Sequence, residues 1–300
     1  MDREKVVVAG ATGALGKMIC SHLAKLEAQC IALAREGSDA KDVRDLEGLG
    51  VTVAIIDTSS PVEIAKTCEG AVCVVSALAG LRPVIIDAQK VLLEGALTAG
   101  VPRFIPSDFA IDFYQMEEGR NRNLDLRREF AQHLEGTAIA ATSILNGLFA
   151  EYIFSESPLV VFDHHKSIYF GSDDQQIDIT SMDNAAEYAA HAALDDSAPR
   201  YLRIAGNVLT IDDVADEASA GTGDAFETQW VGPVATLKPM IEIAKWFDSG
   251  DQLYPAFQGM QYTENLFSGD AKLDPLDNER YPVDWTPLRE VIARGKPDFM

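Results

Sequence analysis

The chain opens on a short apolar run, residues 6–9, which passes directly into the glycine-spaced GATGALG at 10–16. Behind it, Leu15, Met18, Ile19, His22, Leu23 and Leu26 recur at helical spacing, the signature of a helix with one buried face. The same reading places further strands at 30–34, 51–56, 71–75, 103–105 and 138–145. Helices are predicted between them at 40–49, 61–68, 83–99 and 122–135. Strands that alternate with helices pair in parallel through right-handed crossovers, so the first half is expected to be an α/β doubly wound parallel sheet.

The pattern loosens after Ser157. Short strands are expected at 159–162, 167–170 and 201–204, with helices at 183–195 (capped by Asp183), 211–220 and, bearing a tryptophan, 236–247. A stretch rich in aromatics and methionine, 254–267, and a Pro/Asp-rich tail complete the chain. The expected organisation is a nucleotide-binding domain over 1–155 and a smaller α+β substrate-side lobe over 156–300, whose strands are free to return to the first sheet.

A strand that ends in closely spaced glycines and opens a helix makes a phosphate cradle. Gly10 permits the tight turn, Gly13 lets the backbone approach a pyrophosphate, and Gly16 lets helix and strand pack closely. The amides of the first helical turn and its positive dipole end face the phosphates, so Thr12, Ala14 and Leu15 belong to the same candidate set. At the end of the second strand stand Arg35 and Glu36, with Lys41 a little later. A carboxylate there selects NAD through the ribose hydroxyl, whereas arginine takes the 2′-phosphate of NADP through bidentate contacts. Glu36 points to the opposite side from Arg35, so NADP(H) is the expected cofactor; the alternative is that Arg35 is a solvated loop cation. Ligands of such sheets lie beyond the strands' carboxyl ends, which adds Ser76, Ala77, Ser107, Asp108 and Asn146.

Composition narrows the partners. With 47% apolar residues among 300, the chain can bury a substantial core, and no apolar run is long enough to cross a bilayer. The amino terminus lacks a signal-peptide pattern. A net charge of −22, spread along the chain without a basic tract, repels nucleic acid and anionic membranes. The expected partners are a small-molecule substrate and, as a candidate, a second copy of the chain. Cys20, Cys30, Cys68 and Cys73 read as small buried hydrophobes, neither a disulfide framework nor a metal site, which fits a cytoplasmic setting.

Taken together, GATGALG (10–16), Arg35-Glu36 with Lys41, VVSALAG (74–80), VPRFIPSDF (101–109), NLDLRREF (123–130) and TSILNGLFAEY (142–152) resemble the NmrA-like, isoflavone-reductase-like branch of the atypical short-chain dehydrogenases. The resemblance is good over the first half and holds in outline over the second. It implies an NADP(H)-binding Rossmann domain with a small C-terminal substrate lobe. Some such proteins reduce phenylpropanoid-type ethers, lactones or quinone-like compounds; others only bind the nucleotide and act as redox sensors. In the reductases a lysine at the start of the helix after the fifth strand relays the proton. The corresponding position here is Asn123, on one face with Leu126, Phe130 and Leu134. An amide orients a carbonyl but does not titrate, and the neighbouring Arg122 stays protonated, able to stabilise negative charge but a poor donor. The Tyr-x-x-x-Lys of ordinary short-chain dehydrogenases is absent.

Asn123 therefore stands as either a helix-start residue or a substrate-orienting group. Asp108 reads as a base or, more simply, a turn cap, and Tyr114 and Tyr152 as proton donors or packed rings. His164, His165 and Lys166 are expected in an exposed hairpin turn, His22 in the core, and Met260, Tyr262 and Phe267 in the lobe's core or an aromatic pocket. Two functions follow: an NADPH-dependent reductase of a small aromatic or quinone-like compound, or a non-catalytic NADP(H) sensor. The 2′-phosphate assignment is tested directly by Arg35→Ala, expected to weaken NADPH binding far more than NADH binding in a titration; an equal loss for both refutes it.

Overall fold

The computed structural model describes residues 3–155, 159–248, 250 and 252–299. The expected boundary between 155 and 156 falls against residues 156–158, outside those described. The chain divides into two compact units. One comprises the residues up to Phe109 with Leu126–Ile144 and Ala185–Leu202; the other comprises Ala110–Asp125, Leu145–Asn184 and the residues from Arg203 on.

The first unit is the doubly wound α/β layer. Its strands are β1 (Lys5–Ala9), β2 (Gln29–Ala34), β3 (Thr52–Ile55), β4 (Ala71–Ser76), β5 (Arg103–Ile105) and β6 (Ala140–Ala141), all parallel, in the order β3-β2-β1-β4-β5-β6. Between them run α1 (Ala14–Lys25), α2 (Ala40–Gly48), α3 (Pro61–Cys68), α4 (Gln89–Thr98) and, from Leu126 on, α5 (Arg122–Glu135). Val6, Val7 and Val8 of β1 are wholly buried, as a central strand covered on both faces requires. Val7, Val74 and Phe104 of neighbouring strands share one apolar cluster with Ile64, Leu92, Leu93 and Phe130 of the helices. Arg103 is buried in β5 and donates to Thr142 Oγ1 (2.6 Å) and to the carbonyls of Asp196 (2.8 Å) and Ala198 (2.9 Å). It thereby ties the segment 196–198 to the sheet.

Two expected elements are modified. The helix predicted at 83–99 begins as a wider π-helical turn, Pro83–Ala88, before α4 takes over. The strand predicted at 138–145 is split. Thr142 N–H still donates to Phe104, but Ser143 N–H turns to Arg200 O, so β7 (Ser143–Leu145) leaves the first sheet. Apolar patterning marks extended chain and does not encode a change of partner.

The second unit contains β8 (Leu148–Phe149), β9 (Val160–Val161), β10 (Lys166–Phe170), β11 (Ile177–Thr180), the start of α6 (Met182–Leu194), the end of β12 (Tyr201–Arg203), β13 (Asn207–Leu209), α7 (Ile211–Thr222), β14 (Glu227–Gly232), α8 (Leu237–Lys245), α9 (Ala256–Ser268) and α10 (Leu288–Arg294). The strands form a β14-β10-β9 sheet and a β13-β11-β8 sheet, and β12 pairs with β7. β9 and β10 are antiparallel, and His164 and His165 sit exposed in their connection, with His165 left-handed at φ 50°. Asp183 does not cap α6: it lies in the first turn, and Ser181 Oγ accepts from Asn184 N–H at 3.1 Å. The shorter hydroxyl one residue outside the helix reaches that amide. α8 ends at Lys245, leaving Trp246 beyond it and exposed. Phe267 is buried in the unit's cluster, with Met260 and Tyr262 packed against it.

Among the described residues no helix is long and apolar enough to cross a membrane, and no three metal-type side chains converge. All four cysteines are free and buried. Burial pushes the Cys68 thiol up to about 11 and the Cys73 thiol up to about 12. The Cys20 thiol is raised by its contact with Cys30 and then by burial. A raised pKa lowers the thiolate fraction at pH 8, and only the thiolate attacks. Ellman's reagent at that pH is therefore expected to leave the native thiols unmodified over minutes and to titrate all four after denaturation.

Candidate functional site

The cradle is built by three backbone approaches. β1 stops at Ala9, and Gly10 turns the chain at φ +75°, where a Cβ would lie 2.5 Å from Ala77 O and 2.7 Å from Ala77 C. Ala77 N–H donates to Ala9 O at 2.9 Å, so the loop after β4 is drawn onto this turn. Gly13 N–H donates to Gly10 O at 3.0 Å, closing the turn. A Cβ on Gly16 would collide with Gly10 O and approach Ala11 Cα to 2.8 Å, so only glycine admits α1 at this distance. The first bond of the helix ladder runs from Lys17 N to Gly13 O (2.9 Å), which leaves the amides of Ala14, Leu15 and Gly16 ahead of it. No side chain caps α1, and no acidic residue stands in its first turn. A helix start left open in this way is complementary to an anion. Thr12 is half-buried and Gly13 exposed beside it.

The cations divide in a way the sequence did not reveal. Lys41 lies in the first turn of α2 and pairs with Asp45 Oδ2 at 2.8 Å, which raises its pKa. Lys17, absent from the expected set, donates to Asp42 Oδ1 at 2.6 Å. Arg35, at the end of β2, is exposed, and its guanidinium has no hydrogen bond or ion pair among the described residues. The acids of α2 thus occupy both lysines and leave the arginine available.

At the next strand ends, Ser76 is buried and its Oγ has no partner among the described residues. Ser107 acts as a strut. Its hydroxyl donates to Leu78 O, its N–H to Gln89 Oε1 (3.0 Å), and its carbonyl accepts from Arg127 Nε (3.0 Å). Gln89 and Arg127 were not foreseen; the signal for Gln89 is a lone amide at a buried position of an apolar helix. Asp108 is buried, and its Oδ2 accepts from Ser143 Oγ at 2.6 Å, while Arg200 donates to that same Oγ at 2.6 Å.

In the second unit, Asn146 is buried after β7. Its N–H donates to Ala110 O (2.9 Å), and its Oδ1 has no partner among the described residues. Tyr114 stacks on Phe113 (centroids 4.3 Å) and packs against the apolar cluster. Asn123 is not the cap of α5. Asn121, which the sequence reading passed over, accepts from Asn123 N–H (3.2 Å) and Leu124 N–H (3.3 Å). Asn121 also accepts from Gln258 Nε2 (2.7 Å) and donates to Asn265 Oδ1 (2.9 Å), while Arg122 N–H donates to Gln261 Oε1 (3.2 Å). Residues 258, 261 and 265 form one stripe of α9, so the start of α5 is held by a buried seam of amides. Within it, Asn123 Nδ2 donates to Leu253 O at 3.0 Å and Oδ1 accepts from Arg122 Nε at 3.2 Å.

A parallel sheet of this strand order with a glycine cradle at the carboxyl end of its first strand defines a doubly wound α/β protein built to hold an anion at a helix start. The chain belongs to the NmrA-like family, whose model matches residues 2–286. It is 24% identical over 255 residues to an isoflavone reductase homolog from Zea mays, covering 80% of this chain and 82% of that one. Its fold superposes on AtPrR2 solved with NADP+ and (+)pinoresinol, with a TM-score of 0.81, 21% identity, and 98% and 99% of the two chains covered. It also superposes on the NADPH complex of the quinone oxidoreductase QOR2 from Escherichia coli, with a TM-score of 0.73, 18% identity, and 96% and 99% covered.

The collision at Gly10 is separable from the cost of its φ. Gly37 has φ +83° and open space around its Cβ position. Left-handed alanine costs roughly 1–2 kcal/mol at either site. Denaturant unfolding is expected to show Gly10→Ala losing at least about twice as much as Gly37→Ala, because only the former must displace Ala77. Equal losses refute the close approach.

Proposed function

We propose that this protein is an NADPH-dependent oxidoreductase that reduces a small, planar aromatic or quinone-like compound. The observation that carries the reading is the uncapped start of α1 above the Gly10 turn, with the unclaimed Arg35 guanidinium at the end of the neighbouring strand. The amides of residues 12–16 take the pyrophosphate, and Arg35 takes the 2′-phosphate. Ser76, whose buried hydroxyl has no partner among the described residues, is suited to the cofactor's polar edge. Ala77 and Ser107 shape the loops around it. The names of the relatives, reductases of isoflavone, pinoresinol and quinone type, support the same chemistry.

With NADPH held by these residues, the cofactor would supply the hydride equivalent for the reduction. The chain's residues bind and orient the reactants and exclude water. Asn123 has both side-chain atoms in hydrogen bonds and does not titrate, so the acceptor's second proton comes from water. Quinones suit such a site because the hydroquinone anion tolerates delayed protonation. Four free, buried thiols fit work in a reducing compartment.

Oxidation of NADPH, followed at its near-ultraviolet maximum against quinones, aldehydes and phenylpropanoids, is expected to show turnover with a quinone or aromatic acceptor. With a quinone, kcat is expected to be flat across the neutral pH range. Tight NADPH binding with no turnover on any of them would instead favour the non-catalytic sensor.

A further inference from the structure

The outward side of α8 carries apolar residues where an exposed helix face ordinarily carries charge. Leu237 and Ile241 are buried in the second unit, whereas Met240, Ile243, Trp246 and Phe247 are 44%, 61%, 88% and 86% exposed. Helical turns continue past Lys245: the N–H groups of Trp246, Phe247 and Asp248 donate to the carbonyls of Ile243 (3.1 Å), Ala244 (3.1 Å) and Lys245 (3.4 Å). Along such a run, residues three, four and seven apart share one side. Met240, Ile243 and Phe247 therefore make one row, and the exposed Pro239, Ile243 and Trp246 make a second row beside it. None of these side chains is charged, and Glu242 at their margin is already paired with Lys245 at 2.8 Å.

We propose that a second copy of the chain docks on this face, giving a reversible two-fold dimer. An antiparallel arrangement centred on Ile243 sets that side chain on the partner's Ile243, Met240 on the partner's Phe247, and Pro239 on the partner's Trp246. Every member of the face then meets an apolar group, as a self-complementary contact requires. Charge points to the same occupant. Each chain carries −22, so two copies meet with least repulsion where neither presents an unpaired carboxylate. That same charge repels an anionic membrane, and Lys238 and Lys245 project away from the apolar rows, where they do not reach headgroups beneath them. The area is that of a weak dimer. At about 150–250 Å² per aromatic side chain, Trp246 and Phe247 of two copies cover on the order of 600 Å². Met240, Ile243 and Pro239 bring the total close to the ~1,000 Å² at which a specific interface begins. The proposal does not depend on turnover of any acceptor.

Sedimentation velocity over roughly 1–200 μM is expected to show the weight-average mass of the full chain rising from one chain towards two. Ile243→Glu places two like charges on the symmetry axis. It is expected to sediment as one chain throughout that range and, because residue 243 is largely exposed, to melt as wild type does. Ile243→Cys, oxidised with copper–phenanthroline, is expected to give a disulfide-linked dimer several-fold faster than Val62→Cys, which puts a thiol at an exposed position of the first unit. The four native thiols are buried and do not compete. A wild-type mass that stays at one chain across the range overturns the proposal. A dimer that persists undiminished in Ile243→Glu, or equal cross-linking of the two cysteine variants, places the contact elsewhere and also overturns it. Flotation of wild type but not Ile243→Glu with phosphatidylcholine vesicles would assign the face to lipid and overturn it as well.

Discussion

Three stretches of backbone meet at the carboxyl end of β1 with no room for a Cβ. Gly10 faces Ala77 O, Gly16 faces Gly10 O and Ala11 Cα, and Ala77 N–H binds Ala9 O. This contact fixes the distance between β1, the loop after β4 and the first turn of α1 together. Because β1 and β4 are adjacent parallel strands with Ala9 opposite Ser76, the sheet register itself delivers the two loops to one place. Any side chain at 10 or 16 separates them. The amides at the start of α1 would then no longer converge with the strand ends that surround them.

Charge is handled by commitment rather than by abundance. The two lysines near the cradle are held by Asp42 and Asp45, and burial deep in β5 gives Arg103 over to carbonyl oxygens. In the second unit, Arg203 is spent on the fully buried Asp112 at 2.7 Å, and Lys272 on Asp178. Against this background Arg35 is an exposed guanidinium at the end of β2 with no carboxylate partner among the described residues. In a strongly anionic chain such a centre is a place where an anion is welcome.

The amide seam between the start of α5 and α9 satisfies buried polar side chains with one another. A lysine at 123 would need desolvation and a neighbour to tune its proton affinity. An asparagine instead completes a network that already contains Asn121, Gln258, Gln261 and Asn265, and its two atoms hold backbone and guanidinium in place.

Much of this was legible along the chain because it depends on neighbours in sequence. The strand–glycine–helix unit, Arg35 at the second strand end and the alternation behind the parallel sheet are set by local pattern and by the conformations only glycine adopts. What tertiary structure alone decided are the pairings over long separations. They include Ser107 braced by Gln89 and Arg127 and the sixth strand changing partner at Thr142; Lys41 held by Asp45 and Asn121 rather than Asn123 capping α5 are short-range contacts, each one of several that the local pattern permits. The strands β8, β11, β13 and β14 belong to the long-range class. What makes them strands is a partner elsewhere in the chain. Periodicity reports which face of an element is buried; it carries no information about which distant dipole or carboxylate meets a given side chain, and that meeting sets whether a cation is free to act.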